Sequence, residues 1–168
     1  EYYCIDANVF ITAWHLDYKE SVLPTLWAEI AKKKDQIIII KNIYDEIEPI
    51  SSADKRLTTT KKKEKYPLRI WLNDNGFTET IVNEDVIALS LELERKYEIN
   101  DISKGACQND ITLIAYAKLS SNAVVTYESE QNQKPSKISN FKIPLICKEE
   151  NVNCINFITM IEKLGIRI

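Results

Sequence analysis

A run of four isoleucines, Ile37 to Ile40, most constrains how this chain can fold. Isoleucine is β-branched and favours strands. A strand with apolar side chains on both sides has to be buried on both faces, as in parallel sheets that are covered by helices. The run therefore predicts an internal strand of an α/β protein.

Helical patterns alternate with further short apolar runs along the chain. A first strand is predicted to end at Asp6, and others to span residues 123–126 and 154–157. Apolar residues recur at helical spacing in seven segments: 21–34, 43–50, 61–75, 84–97, 110–119, 144–150 and 159–164. This alternation predicts a single α/β/α sandwich domain over residues 1–168, with a central parallel sheet of about four or five strands.

Size and composition agree with one compact domain. A chain of 168 residues with 45% hydrophobic content can bury a good core but has no room for two ordinary domains. The longest apolar runs are far shorter than a bilayer span, and no signal-peptide pattern is visible. We therefore expect a soluble cytoplasmic protein without a membrane partner.

Cysteine and glycine usage narrows the kinds of site that are possible. The four cysteines contain no C-x-x-C pair, so a zinc site is not expected, and structural free thiols are favoured over disulfides. The three glycines form no phosphate-cradling loop, which disfavours a nucleotide-binding Rossmann protein. His15 is the single histidine and is assigned a surface or core role.

Four acids, Asp6, Glu46, Asp110 and Glu128, each lie at the end of an apolar run or on the helix that follows one. If those runs are neighbouring parallel strands, the carboxylates meet at one edge of the sheet. Oxygen-only clusters bind hard cations such as Mg²⁺ or Mn²⁺, and such an ion can activate water for phosphodiester cleavage. On local sequence alone, Asp6 is equally well interpreted as a helix N-cap.

Other acids near these motifs are alternative members of the cluster. They are Asp45, Glu48, Asp101 and Glu130. Asp45 and Glu46 are adjacent on a predicted helix and point about 100° apart, so at most one of them is well aimed. Asn8 and Thr126, each two residues from a proposed ligand, are predicted to orient a carboxylate or a metal-bound water. Turn and strand-end hydrogen bonding is the alternative for both.

Taken in order, four segments resemble the motifs of the PIN-domain ribonucleases. They are 5–11 (IDANVFI), 44–47 (YDEI), 109–117 (NDITLIAYA) and 124–128 (VVTYE). The resemblance implies a PIN-like α/β/α fold and a Mg²⁺- or Mn²⁺-dependent endoribonuclease in which Asp6, Glu46, Asp110 and Glu128 are the catalytic metal ligands. It also implies a single-stranded or structured RNA substrate. Many bacterial members are toxins held inactive by a cognate antitoxin, and homodimers are frequent.

Two features depart from the common PIN pattern. The fourth acid is Glu128 where Asp is usual, and the segment from Ser51 to Glu98 is longer than in the smallest members. The Trp-containing start and the Cys-Ile-Asn-Phe ending look most like a bacterial PIN-like branch with no settled activity. A catalytically silent PIN-like module that binds RNA or a protein is therefore the alternative hypothesis.

Basic residues are unevenly placed although the net charge is −3. Lys134 and Lys137 follow Glu128 closely, and we expect them to bind the phosphate backbone of the substrate through charge. A first lysine-rich stretch, from Lys55 to Lys65, is at least as well explained as a solvated helix or loop. The tryptophans Trp14, Trp27 and Trp71 lie at amphipathic spacing and are interpreted as core rather than as base-stacking residues.

Overall fold

The structure, a computed structural model, describes residues 1–168 and contains one five-stranded sheet in which all strands are parallel. The strands are β1 (Tyr3–Ile5), β2 (Ile37–Ile40), β3 (Glu79–Thr80), β4 (Ala123–Val125) and β5 (Cys154–Ile155). Their order across the sheet is β3-β2-β1-β4-β5. The predicted α/β fold with a parallel sheet of four or five strands is confirmed, and flanking helices make it consistent with a PIN-like sandwich.

The chain also forms nine α-helices. They are α1 (Ala7–Thr12), α2 (Pro24–Lys32), α3 (Lys41–Tyr44), α4 (Thr59–Lys65), α5 (Pro67–Asp74), α6 (Glu84–Lys96), α7 (Gln108–Ser120), α8 (Ile143–Glu149) and α9 (Phe157–Lys163). A π-helical turn, Ala13–Asp17, continues α1, and short 3₁₀ turns occupy Lys34–Gln36, Ala53–Arg56 and Ile138–Asn140.

The core is built around the strands that the apolar runs predicted. Ile39, Ile40 and all of β4 are buried, so both faces of the sheet are covered. The three tryptophans pack together, with ring centroids of Trp14 and Trp27 4.8 Å apart and those of Trp27 and Trp71 5.3 Å apart. The prediction that the tryptophans belong to the core is confirmed, because Trp27 is fully buried and Trp71 packs against the core.

The helix predicted over 43–50 is wrong in extent, and Glu46 is not helical. Helix α3 ends at Tyr44, and the backbone reaches a left-handed conformation at Glu48 (φ 43°). Arg69 of α5 donates to the carbonyl oxygens of Tyr44 and Ile47, the latter at 2.8 Å. These carbonyls thus find partners outside a helix, and Glu46 lies in the turn that follows α3.

The helix predicted over 61–75 is also wrong, because it is two helices, α4 and α5. Pro67 begins α5 and has no N–H to continue α4. A residue before proline is pushed out of the helical region, and Tyr66 accordingly has φ −129° and ψ 54°. Smaller differences occur elsewhere: α2 begins at Pro24 instead of residue 21, and β5 ends at Ile155 because α9 begins at Phe157.

All four cysteines are free thiols, as predicted. Cys4 and Cys147 are buried, Cys154 is partly buried and Cys107 is exposed. None of the helices combines the length and apolar composition needed to cross a bilayer.

Candidate functional site at the carboxyl edge of the sheet

The sheet reverses its winding between β1 and β4. From β1 the chain moves outward to β2 and β3, and it then returns to place β4 and β5 on the other side of β1. Such a switch point leaves a crevice at the carboxyl ends of the strands, where ligands of open α/β sheets bind. Asp6 directly follows β1 and donates its backbone N–H to the carbonyl of Val125 at 3.1 Å, so this residue is fixed at the switch point.

Asp6 is a buried acid at the N-cap position, directly before helix α1. Only 3% of the residue is exposed. It has the extended backbone of an N-cap, but its side chain makes no capping hydrogen bond. Burial, followed by the charges of Asp110, Glu128 and Glu46 in decreasing order, raises the pKa of Asp6 to about 7, although a hydrogen bond from the backbone of Ala7 opposes the rise. Asp6 therefore lies within electrostatic reach of the other three acids, and these four residues are called the acid cluster below.

Asp110 enters the acid cluster from the first turn of α7. Its Oδ2 accepts a hydrogen bond from the backbone N–H of Cys107 at 2.8 Å, which satisfies one free donor at the start of the helix. Burial raises the pKa of Asp110, and the bond from Cys107 partly offsets that effect. Asp110 is thus held by its own helix terminus while its charge is felt at Asp6.

A close approach of two loops fixes the start of α7 relative to the loop after β4. A Cβ atom added to Gly105 would lie 2.4 Å from the carbonyl oxygen of Ser139 and 2.6 Å from that of Phe141. The next residue, Ala106, donates to the Phe141 carbonyl at 2.8 Å. A side chain at position 105 would separate the two loops, so Gly105 helps to set the position of Asp110.

Glu128 is held by the first residue of α8. Its Oε2 accepts a hydrogen bond from the backbone N–H of Ile143 at 2.8 Å, and its own N–H donates to Thr126 Oγ1 at 3.1 Å. Burial raises the pKa of Glu128; the bond from Ile143 opposes this, the charge of Asp110 adds to it and Lys142 opposes it. Thr126, which is buried, therefore helps to position the backbone of Glu128.

Glu46 reaches the acid cluster from the turn after α3, where it is exposed. Asn109 Nδ2 donates to Glu46 Oε1 at 2.5 Å and so joins this turn to the first turn of α7. Asn109 was part of the third motif, but sequence reasoning gave it no role. Its position beside Asp110 was the available signal, since a donor next to one ligand is well placed to orient another.

The chemistry of the acid cluster fits a hard divalent cation, since all four side chains offer carboxylate oxygens. Asp110, Glu46 and Glu128 each direct one oxygen to a protein N–H, which leaves the second oxygen of each carboxylate for another partner. In this structure, however, no three acidic, histidine or cysteine side chains are grouped closely enough to hold one ion together. The four acids of the cluster influence one another through their charges, but they do not form a complete coordination sphere for a metal ion.

The remaining predicted site residues are exposed or contact residues outside the acid cluster. Asn8 is exposed on the first turn of α1. Lys134 is paired with Glu149 at 2.8 Å and lies 5.3 Å from the ring centroid of Phe141, and Lys137 is exposed just before a 3₁₀ turn. Asp45 pairs with Lys41 at 3.0 Å, and Glu48 with His15 at 3.2 Å.

Nearly the whole chain matches one protein family. It belongs to the family described as "Domain of unknown function (DUF4411)", whose model matches residues 3–168. No curated protein and no solved structure matches the chain.

Proposed function

We propose that this protein is a Mg²⁺- or Mn²⁺-dependent nuclease that hydrolyses phosphodiester bonds of RNA at the acid cluster. The observation that carries the proposal is that three distant acids act electrostatically on the buried Asp6, at the crevice between β1 and β4. Carboxylates that repel one another, with no cationic side chain bonded to them, are typical of a site that binds a cation. The motif order of PIN ribonucleases supports RNA as the substrate.

Asp6 and Asp110 would hold the ion, and Glu46 and Glu128 would complete the site. A bound ion supplies neutralisation of phosphate charge and an activated water at neutral pH. The protein contributes by fixing the acids: Asn109 orients Glu46, and the Ile143 N–H orients Glu128. Because the pKa of Asp6 is about 7, we expect cation binding to displace a proton and to strengthen as the pH rises past that value.

The test compares wild type, Asp6→Asn and Asp45→Asn in RNA cleavage with Mn²⁺, with Mg²⁺ and with a chelator. Asp45 is a matched control, since it is a neighbouring acid that is exposed and paired with Lys41 outside the acid cluster. We expect metal-dependent cleavage by wild type and Asp45→Asn, and a loss on the order of 100-fold in Asp6→Asn. Equal cleavage by wild type and Asp6→Asn rejects the site.

A second candidate function is a silent PIN-like module that binds RNA or a protein. It is favoured by the lack of three acids grouped around one point and by the bond that Glu128 makes to Ile143. Thermal unfolding with and without Mn²⁺ separates the two candidates. Stabilisation by Mn²⁺ that Asp6→Asn removes supports the enzyme, whereas no stabilisation and no cleavage support the module. The toxin role, its antitoxin and a homodimer stay predictions from the resemblance.

A further inference from the structure

A cleft of about 890 Å³ opens beside the acid cluster, on the far side of β4 from Asp6. Its walls are the segment after β4, one side of α8, the end of β5 and the start of α9. Glu128 belongs both to the acid cluster and to the wall of this cleft. A molecule bound in the cleft would therefore lie next to any bond that is cleaved at the acid cluster.

The charges of the cleft disfavour a phosphate group. Glu128 and Glu130 line it, and the one cationic side chain is that of Lys148. An anion would be repelled by the two acids in the absence of a metal. The volume is within the range of small-molecule sites, and the lining mixes apolar with polar side chains, which suits a neutral group with a polar edge.

One wall of the cleft is aromatic. The rings of Tyr127 and Phe157 are stacked, with centroids 6.2 Å apart and planes 22° apart, and Tyr18 lies against Phe157 at 5.2 Å. Tyr127 is partly exposed, yet its hydroxyl oxygen is buried and has no hydrogen-bond partner. Because the hydroxyl is buried, the exposed part of Tyr127 is its ring. This ring is held in place by stacking on Phe157, which also lines the cleft, so the pair is a suitable platform for a planar group.

Two asparagines supply hydrogen-bonding groups at the rim of the cleft. Asn156 accepts the N–H of Thr159 with its Oδ1 at 2.9 Å, so its side-chain NH₂ remains available as a donor. Asn153 is exposed and also lines the cleft. Amides of this kind pair with the edges of unstacked bases, as in proteins that recognise single-stranded RNA.

We infer that the cleft holds the base of a nucleotide that flanks the cleaved phosphodiester, with the base stacked against Tyr127 and its edge toward Asn153 and Asn156. This inference rests on the proposed function, since it assigns a substrate subsite beside the acid cluster. It also makes the substrate single-stranded at that nucleotide, because a paired base cannot leave its helix to stack without unpairing.

The experiment measures binding of a labelled single-stranded RNA of roughly ten nucleotides, a length that one nucleic-acid-binding fold covers. One abasic nucleotide is moved along the RNA, and binding is measured in chelator so that cleavage does not interfere. We expect one abasic position to weaken binding to wild type by about 5- to 100-fold, the effect of losing one stacked base. In Tyr127→Leu, an abasic nucleotide at the same position should weaken RNA binding by less than about 2-fold.

The matched control is Tyr2→Leu, the same replacement of an exposed tyrosine. Tyr2 lies just before β1, at the amino-terminal ends of the strands. This variant should keep the sensitivity of wild type to the abasic position. A second variant, Asn156→Ser, retains a helix-capping oxygen but removes the NH₂ donor. It should weaken binding to RNA with the base present and leave binding to the abasic RNA unchanged.

The outcomes separate this inference from the proposed nuclease. Metal-dependent cleavage with no sensitive abasic position overturns the base-binding cleft and keeps the nuclease. A sensitive position that Tyr127→Leu removes, without cleavage under any condition, keeps the cleft and overturns the nuclease. Binding that does not change with any abasic position, or that persists equally in Tyr127→Leu, overturns the cleft. Capture of a peptide by the cleft with no RNA binding overturns it as well.

Discussion

Two buried acids in this molecule, Asp6 and Glu150, have opposite surroundings and opposite pKa shifts. Burial alone would raise the pKa of Glu150, but hydrogen bonds from Lys118, Lys96 and Tyr97 outweigh it and lower the pKa to about 2. Two lysines neutralise that carboxylate, at 2.5 Å for Lys96 and 2.8 Å for Lys118. Glu150 therefore joins α6, α7 and α8 as a structural residue.

Asp6 is as deeply buried as Glu150, but its charged neighbours are other acids. Its pKa is raised to about 7, whereas that of Glu150 is lowered to about 2. The comparison shows that burial of a carboxylate does not by itself indicate function. A buried acid whose neighbours compensate its charge stabilises the fold, and one whose neighbours repel it is retained at a cost in stability that a cation can offset.

The largest stability effect is expected from breaking the compensated site. Glu150→Gln removes the charge that Lys96 and Lys118 neutralise, and it leaves Tyr97 with a weaker acceptor. We expect a loss of about 3 kcal/mol in the free energy of unfolding, toward the lower end of the effect of breaking a buried pair because the lysines remain partly hydrated. Urea denaturation at neutral pH measures it.

The control for this variant is Glu149→Gln. Glu149 is the preceding residue and pairs with the exposed Lys134, so its loss should change stability by less than about 1 kcal/mol. Equal losses in the two variants would show that Glu150 is no more important than a surface ion pair and would remove the contrast with Asp6.

The second effect is a pH dependence of opposite sign at the two acids. Native Asp6 keeps its proton between about pH 4 and 7, where the unfolded chain has lost it, so its contribution to stability falls as the pH rises through that window. Between about pH 5 and 8 the loss is on the order of 2 kcal/mol. Asp6→Asn should remove much of this loss, so that its stability relative to wild type rises with pH in urea denaturation.

Glu150 gives the opposite window in the same experiment. Its native pKa is lowered from 4.5 to about 2, so its stabilising contribution is present above about pH 4.5 and is lost as the pH falls toward 2. The deficit of Glu150→Gln should thus stay constant between about pH 5 and 8 and shrink in acid. A difference between wild type and Asp6→Asn that does not vary with pH would mean that Asp6 is an ordinary ionised carboxylate.

Much of the fold could be predicted from local sequence. The isoleucines of β2 and the apolar residues of β4 have to be buried on both faces, and this alone required a covered parallel sheet. Strand β3 could not be predicted, because Glu79 and Thr80 carry no apolar pattern and are placed by pairing with Ile39 and Ile40. Their conformation comes from tertiary pairing instead of local preference.

The acids of the candidate site could be predicted from the sequence, but the contacts that position them could not. Asp6 and Asp110 could be proposed because each follows a strand or opens a helix, positions that the chain order of a parallel sheet brings to one edge. Helix α3 ends before Glu46, where Arg69 binds the carbonyl oxygens of the following turn. Arg69 lies on α5, 22 residues after Ile47 in the sequence. The aromatic wall of the cleft, Tyr127 on Phe157, likewise joins two separate segments, so periodicity within either one could not reveal it.

The smallest effect is expected at the contact that aims Glu46. Asn109→Ala removes the hydrogen bond from Asn109 Nδ2 to Glu46 Oε1, so Glu46 loses its orientation while every carboxylate remains. We expect Mn²⁺ affinity to fall by about 10-fold, the low end of the effect of losing a group that orients a metal ligand. Titration of Mn²⁺ followed by thermal unfolding measures the change.

Asn122→Ala is the control, because Asn122 follows the other end of α7 and donates a comparable side-chain hydrogen bond, to Ser120 Oγ at 2.9 Å. It should leave Mn²⁺ affinity unchanged. If Asn109→Ala binds Mn²⁺ as wild type does, but Asp6→Asn does not, Glu46 is not a ligand and the cation is held on the β1–β4–α7 side of the cluster alone. The contrast with Glu150 would then rest on Asp6, Asp110 and Glu128, which are the three acids with raised pKa values.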